Sequence, residues 1–337
     1  MVQATRTTLY RARAALFAAA VASLVCSTHA DAQLTPDRTY YGVNRAMPMT
    51  VNVPAGAEGE VEIQLLAPET AEVVQKAPAA AGSVDLAEKF PELWKATEPR
   101  VQYAQLVVGG KKIGPSVVLQ PMLTPRYAAQ VDRATAAPMF MPEETWKRIR
   151  QYSGIRAYPH QNVVIETSKG EIEIAMRPDV APNTVWNFLE LVRGGFYTDI
   201  VIHRIDNRNE GFVIQFGDPN GSGAGGPGSY VDLEASTLQH DFGVISMARL
   251  SDPNSGGSQV FLCLSRNMTR PLDGRYTSFG ETVRGSDAIL AIAATPVNPP
   301  DKPIEPPVIK SAKLVDAPPY GEGPKPIKKP GAEGSER

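Results

Sequence analysis

Cysteine is almost missing: the chain of 337 residues holds two, Cys26 and Cys263. Cys26 falls in a leader-like segment, which leaves Cys263 without an intrachain partner and excludes a disulfide framework, so the fold must rest on its core. Cys263 sits in the apolar run VFLCLS and is expected to be a buried, inert thiol, since no neighbouring histidine marks it as a nucleophile. An excess of either charge is also missing. Lys plus Arg number 34 against 36 Asp plus Glu, for a formal net charge of -2 and a pI near 6.2, which argues against a nucleic-acid partner or an anionic membrane surface. The apolar run Ala14–Val25 falls well short of the roughly 20 residues of a helical span. No membrane span is therefore expected. The 4 histidines, His29, His160, His203 and His240, do not fall at metal-ligand spacing, and no metal site is expected.

Glycine and proline are abundant, at 28 and 30 residues, about a sixth of the chain and above the usual share. That composition favours strands joined by turns, and the length suits two units of ordinary size. Residues 1–32 read as a signal peptide: Arg6, Arg11 and Arg13 precede the apolar run, and Ala30-Asp31-Ala32 offers a small-x-small cleavage site. The mature chain is expected to begin near Gln33, exported to the periplasm or cell envelope, or secreted.

Residues 33–136 read as a small β-domain of sandwich type. Val61, Ile63 and Leu65 alternate with polar neighbours, and VQYAQLVV passes through Gly109-Gly110 into KKIGPSVVLQPM as a hairpin. LAEKFPELW is too short, and too interrupted by Pro91, to predict a helix. Tyr40, Tyr41, Trp94 and Tyr103 could form a binding face, but packing is the expected role. Residues 137–161 form a linker in which Pro142 opens a short helix over 142–153 and Gly154 ends it. Its apolar stripe is Trp146, Ile149 and Tyr152. From 162 to 316 a second domain follows: two strands about a Ser-Lys-Gly turn, a helix begun by Pro182 and stopped by Gly194-Gly195, several short strands, a second helix capped by Ser286, and the final strand VIKSAKLV. This order fits a β-barrel closed at its ends by helices. Residues 317–337, rich in Pro, Lys and Gly without apolar periodicity, are expected to be disordered.

Few residues carry chemistry. Ser255 and Ser258 lack a nucleophile-elbow pattern, and the run GSGAGGPG lacks the Lys-Ser/Thr of a phosphate loop, reading instead as a tight loop that lets backbone approach a ligand. Arg204, set in the apolar strand VIHRI, is the exception. A permanent charge there needs partners: Gln215 and Gln259 offer amides, while Phe212, Phe261 and Leu272 offer an apolar slot.

The stretches HRI, GFVIQFGDPNGSG, GVISMA, NSGGSQVFLCLS, LDGRYTSFGE and DKPIEPPVIKSAKLV, in this order from 162 to about 315, resemble the cyclophilin family of peptidyl-prolyl cis-trans isomerases. The resemblance implies an eight-stranded antiparallel barrel with two capping helices. It implies that Arg204 is the catalytic residue and His203 its neighbour, with Phe212, Val213, Phe261 and Leu272 as walls of a proline pocket. Gln215, Gln259 and Gly221 would position the arginine and bind substrate backbone; Ala248 and Arg249 would take the residue before proline, and Tyr276 stands at a late pocket position where the family has histidine. Substrates would be proline-containing polypeptides, with no cofactor and a monomeric chain. Two further departures stand out: Pro271 replaces the family's pocket tryptophan, and IDNRNEGF is longer than the family's link by about three polar residues. Asp206 to Glu210 are expected to bulge out beside the site. The alternatives are a prolyl-peptide binding module with little turnover, its N-terminal domain making the main contacts, and a purely structural envelope protein.

Overall fold

The computed structural model describes residues 33–132, 134–135 and 137–330; the expected signal peptide and residues 331–337 lie outside them. Ile63 and Leu65, buried two apart on Val61–Leu66, and the continuously buried run Tyr103–Val108 lie in an antiparallel six-stranded sheet, in the order Tyr40–Gly42, Tyr152–Pro159, Lys111–Leu123, Gln102–Val108, Val61–Leu66, Val73–Pro78. Gly109 and Gly110, at φ 56° and 78°, close its central hairpin, because a two-residue turn matching the strand twist needs positive φ at both positions. A three-stranded sheet of Leu34–Pro36, Pro48–Val51 and Gly82–Asp85 faces it. Leu34, Met49 and Val84 from one sheet and Ile63, Leu106, Leu119 and Ile155 from the other share one core. Tyr41 and Tyr103 are fully buried packing residues.

Three expectations change in this half. LAEKFPELW forms two single helical turns, Leu86–Lys89 and Glu92–Lys95, separated by Pro91. The linker helix is shorter, Glu143–Ile149. The residues after it are not linker: Tyr152–Pro159 pairs with both Lys111–Leu123 and Tyr40–Gly42. Ile155 and Ala157 supply the two-residue periodicity of a buried strand, and Gly154, at φ 143°, lies against the Tyr41 carbonyl where a Cβ has no room.

The second half is a nine-stranded antiparallel sheet, in the order Ile200–Val201, Val308–Asp316, Gln161–Thr167, Gly170–Met176, Ser278–Arg284, Val244–Met247, Val260–Cys263, Val213–Phe216, Arg204–Asp206. Its first and last strands are consecutive in the chain, parted only by Ile202 and His203, and this interruption makes nine strands of the expected eight. The helix Pro182–Arg193 turns Val185, Phe188, Leu189 and Val192 inward. No neighbouring side chain caps its start. Glu234, some fifty positions on, does so from outside, accepting from the Asn183 and Thr184 amides at 3.1 and 2.8 Å. The helix Ser286–Ala293 begins one residue earlier than expected in its cap: Gly285, at φ 104°, is the cap, not Ser286. Among the described residues no helix is long and apolar enough to cross a membrane.

The two halves share apolar contacts. Leu66, Val101, Tyr103, Val118 and Tyr158 of the six-stranded half belong to the same buried cluster as the core of the nine-stranded half. Across this seam Trp186 lies 4.9 Å from the Tyr158 ring and 4.7 Å from the Arg156 guanidinium, a cation over an aromatic face. The chain after Ala317 is ordered rather than disordered as far as Pro330. Tyr320 stacks on Tyr103 with ring centroids 3.7 Å apart, the Tyr320 amide donates to Gln105 Oε1, and the Ile327 amide donates to the Thr282 carbonyl. Two well-placed apolar side chains suffice where composition alone gave no sign of packing.

Candidate active site

The ladder between Arg204–Asp206 and Val213–Phe216 sets Arg204 opposite Gln215, and Gln215 opposite Phe261 on the next strand. Side chains on directly paired residues share a face, so the three project into one cleft of about 210 Å³. Its lining is Arg204, Phe212, Val213, Gln215, Ala248, Arg249, Phe261, Leu272 and Tyr276. Nine of the twelve residues singled out from the sequence therefore meet in one place. Tyr276 meets the Phe261 ring edge to face at 5.7 Å, and the Arg249 guanidinium lies 4.6 Å over Tyr276.

A file of polar groups runs along the cleft. Arg204 Nη1 donates to Gln215 Oε1 at 3.4 Å, Gln215 Nε2 to Gln259 Oε1 at 2.9 Å, and Gln259 Nε2 to the carbonyls of Gly223 and Gly225, both at 2.9 Å. Gln259 thus stands in a neighbouring cleft of about 370 Å³, which shares Gln215, Ala248 and Arg249 with the first and is rimmed by Tyr230 and Leu250. His203 and Gly221 line neither cleft. The His203 ring is half-buried beside Gly223, with both nitrogens shielded from solvent and without a hydrogen-bond partner. Burial holds its pKa below the ordinary histidine value, Asp218 opposing and Arg204 assisting. Gly221, at φ 63°, packs against Val201, where a Cβ would collide.

Asp218 organises the glycine-rich loop. Its carboxylate accepts from the amides of Asn220, Gly223 and Ala224 and from the Ser222 hydroxyl, at 2.6 to 3.1 Å. Burial would raise its pKa, but these donors prevail and hold it at about 2. His240 supports the cleft floor, stacked beneath Phe261 at 6.0 Å. Its Nδ1 lies 3.0 Å from Asp273 and its Nε2 2.9 Å from Ser246 Oγ. With Nδ1–H donating to the carboxylate, the neutral ring accepts from the serine.

Sequence reading missed these supports, and missed Asp206 and Asp301 behind Arg204. Asp206 Oδ2 lies 3.2 Å and Asp301 Oδ2 3.4 Å from Arg204 Nη2. The Arg208 guanidinium beside Asp206 holds that carboxyl below the usual range, against the effect of burial. One signal was available: Arg204 and Asp206 are two apart in a strand and so share a face. Asp301 lies 97 positions away and gave none. Of the stretch expected to bulge out, Asp206 instead stays buried in the strand, paired with Val213, and the turn that Asn207 to Glu210 form is fastened. The Asn207 amide donates to the Ala293 carbonyl, and Glu210 accepts from Ser265 Oγ and Asn267 Nδ2.

Comparison with known proteins matches this half of the chain. The model of the cyclophilin type peptidyl-prolyl cis-trans isomerase family matches residues 162–314. A peptidyl-prolyl cis-trans isomerase of Arabidopsis thaliana is 36% identical over 159 residues, which cover 46% of this chain and 93% of that protein. One of Synechococcus elongatus is 38% identical over 141 residues, covering 38% and 92%. A crystal structure of a Cryptosporidium parvum cyclophilin type isomerase in the presence of the dipeptide Ala-Pro aligns with a TM-score of 0.43 and 34% identity, covering 46% of this chain and 99% of that one. With the ladder of Arg204, Gln215 and Phe261 and a relative matched over nearly its whole length, the chain belongs to the cyclophilin-type peptidyl-prolyl cis-trans isomerase family.

Proposed function

We propose that the cleft at Arg204 accelerates rotation about X-Pro peptide bonds in exported polypeptides and thereby assists their folding. The observation that carries this reading is the Arg204 guanidinium at the edge of a slot walled by Phe212, Val213, Phe261, Leu272 and Tyr276, while the other guanidinium of the cleft, Arg249, lies over Tyr276 and donates to the Arg275 carbonyl. A prolyl ring is apolar and fits such walls. The bond itself is held planar by delocalisation of the nitrogen lone pair, with a barrier of about 18 to 20 kcal/mol. An Arg204 N–H directed at the prolyl nitrogen draws that lone pair out of conjugation, and so binds the twisted transition state better than the planar ground state. Uncatalysed exchange takes tens to hundreds of seconds; reaching milliseconds needs roughly 6 to 7 kcal/mol of such preference. Gln215 and Gln259 present amide groups to the flanking backbone, and Ala248 with Arg249 borders the residue before proline. No bond breaks, so no cofactor is required.

Export rests on the basic residues, apolar run and small-x-small site of residues 1–32. Expression of the full chain in a bacterial host, followed by N-terminal sequencing of the envelope fraction, is expected to give a chain starting near Gln33; an uncut cytoplasmic product would overturn it.

A second reading, in which the N-terminal half holds the client, is favoured by one contact. Asn254 Nδ2, on the loop bordering the larger cleft, donates to the Ala128 carbonyl at 2.7 Å. Ala128 belongs to the small hairpin of Ala128–Val131 and Pro138–Phe140, which exposes Met139 and the adjoining Tyr127. Protease-coupled isomerisation of a proline tetrapeptide separates the readings: turnover well above background supports the isomerase, and peptide binding without turnover supports the binding module.

A further inference from the structure

Arg204 is gripped from behind. Both carboxylates at its Nη2 are nearly buried, with Asp206 4% and Asp301 13% exposed, and neither lines the cleft. Arg208, in the inserted turn, backs the same pair: its Nε and Nη2 lie 2.9 and 2.6 Å from the two Asp206 oxygens, and its Nη2 lies 3.6 Å from Asp301. Two guanidiniums thus face two carboxylates, and the local charge balances. Arg204 is held without leaving an isolated charge in a poorly solvated place.

The arrangement also decides which protons remain free. A guanidinium has five N–H donors in a fixed plane. Two carboxylates engage Nη2 and Gln215 engages Nη1 once, which leaves Nε–H and one Nη1–H for a substrate. We propose that Asp206 and Asp301, backed by Arg208, are positioning residues that lock the Arg204 guanidinium with these donors turned to the prolyl nitrogen. This rests on the isomerase reading of Arg204. It gives the inserted stretch a purpose: Arg208 stands in the part of IDNRNEGF that lengthens the link, and an arginine free to sample its rotamers would have to be ordered at each turnover.

The test is a double-mutant cycle in the full-length protein. Wild type, Asp206→Asn, Arg204→Ala and the double variant are assayed for kcat and KM on a proline tetrapeptide, with the Arg204 Nε–Hε resonance followed by NMR. Asp206→Asn is expected to lower kcat about tenfold, the equivalent of ~1.4 kcal/mol in the barrier, with KM little changed and the Nε–Hε resonance shifted and broadened. Asp206→Glu is expected to recover part of the rate. In the Arg204→Ala background Asp206→Asn should add no further loss, because coupled residues are non-additive. Should Asp206→Asn fold poorly, Asp301→Asn is read in its place, with the same expectation. An unchanged kcat and resonance, or an equal fractional loss in both backgrounds, would overturn the proposal while leaving an active, Arg204-dependent wild type intact. Loss of wild-type activity itself would instead sink the isomerase reading and the proposal with it.

Discussion

Arg204 was legible because a permanent charge in VIHRI is an anomaly, and Gln215 and Phe261 because a charge there needs an amide and an apolar slot; only the strand register shows that all three share a face. Its carboxylate partners were not. Asp206 was read as the start of a loop, although it completes the strand, and Asp301 reaches the site only through tertiary folding. The same contrast holds for Asp218, which nothing in GFVIQFGDPNGSG singles out and which proves to be the hub of the loop. Replacing it by alanine removes the buried carboxylate to which the Asn220, Gly223 and Ala224 amides donate, and a hydrogen bond to a charged group contributes roughly 1.5–3 kcal/mol. Asp218→Ala is therefore expected to lower denaturant stability by about 2–4 kcal/mol; a change under about 0.5 kcal/mol, the usual size of a surface substitution, would contradict the account.

The titrating residues also set a pH dependence. Burial holds His160, His203 and His240 below the ordinary histidine pKa. On acidification the unfolded chain therefore takes up their protons first, and stability falls once pH drops below about 6.5. Asp218 and Asp273, both held at about 2, stabilise the fold above the unfolded value of about 3.9, and that contribution disappears as pH falls from there towards 2. Glu234, raised by burial, works the other way over its own range. Denaturant midpoints across pH should thus be highest near neutrality and fall in two stages; a maximum near pH 4 would contradict this.

Among the elements, the tail departed furthest from expectation, and the small hairpin was not anticipated. Proline, lysine and glycine suggested disorder after Ala317, because composition counts polar residues and does not weigh a single aromatic that finds a partner. Tyr320 stacks on Tyr103, and Lys112 Nζ donates to the Tyr320 carbonyl at 2.6 Å. Tyr320→Ala is expected to cost about 2–4 kcal/mol, in the range of large aromatic truncations that leave a gap; a loss below about 1 kcal/mol, less than the range for such truncations, would show the tail to be a passive cover. On the reading in which the N-terminal half holds the client, the hairpin would extend the cleft. If it extends the cleft, Tyr127→Ser with Met139→Ser should slow catalysed refolding of a proline-limited protein while leaving tetrapeptide turnover unchanged. Equal rates on both substrates would remove the hairpin from the account.

For the whole molecule, the sequence suggests a division into two domains around the short helix, whereas residues 33–330 fall within one compact unit. The boundary was misplaced because IRAYP reads as linker until its partner strands are known. The shared core, with Tyr103, Val118 and Tyr158 packed into the same cluster as Val185, Phe188 and Ile289, predicts that both halves melt together. Scanning calorimetry of the chain from residue 33 onward should give one transition whose calorimetric and van't Hoff enthalpies agree. Two resolved transitions would show the halves to be independent.

The central claim is that one guanidinium lowers the rotation barrier. Cis-trans exchange of a proline tetrapeptide, measured by NMR line shape with wild type and with Arg204→Ala at matched saturation, tests it directly. The account predicts exchange on the millisecond scale for the wild type and a fall of about 100- to 1000-fold in the variant, the usual effect of removing one transition-state donor, with peptide binding retained. Exchange in the Arg204→Ala protein as fast as in the wild type would contradict it.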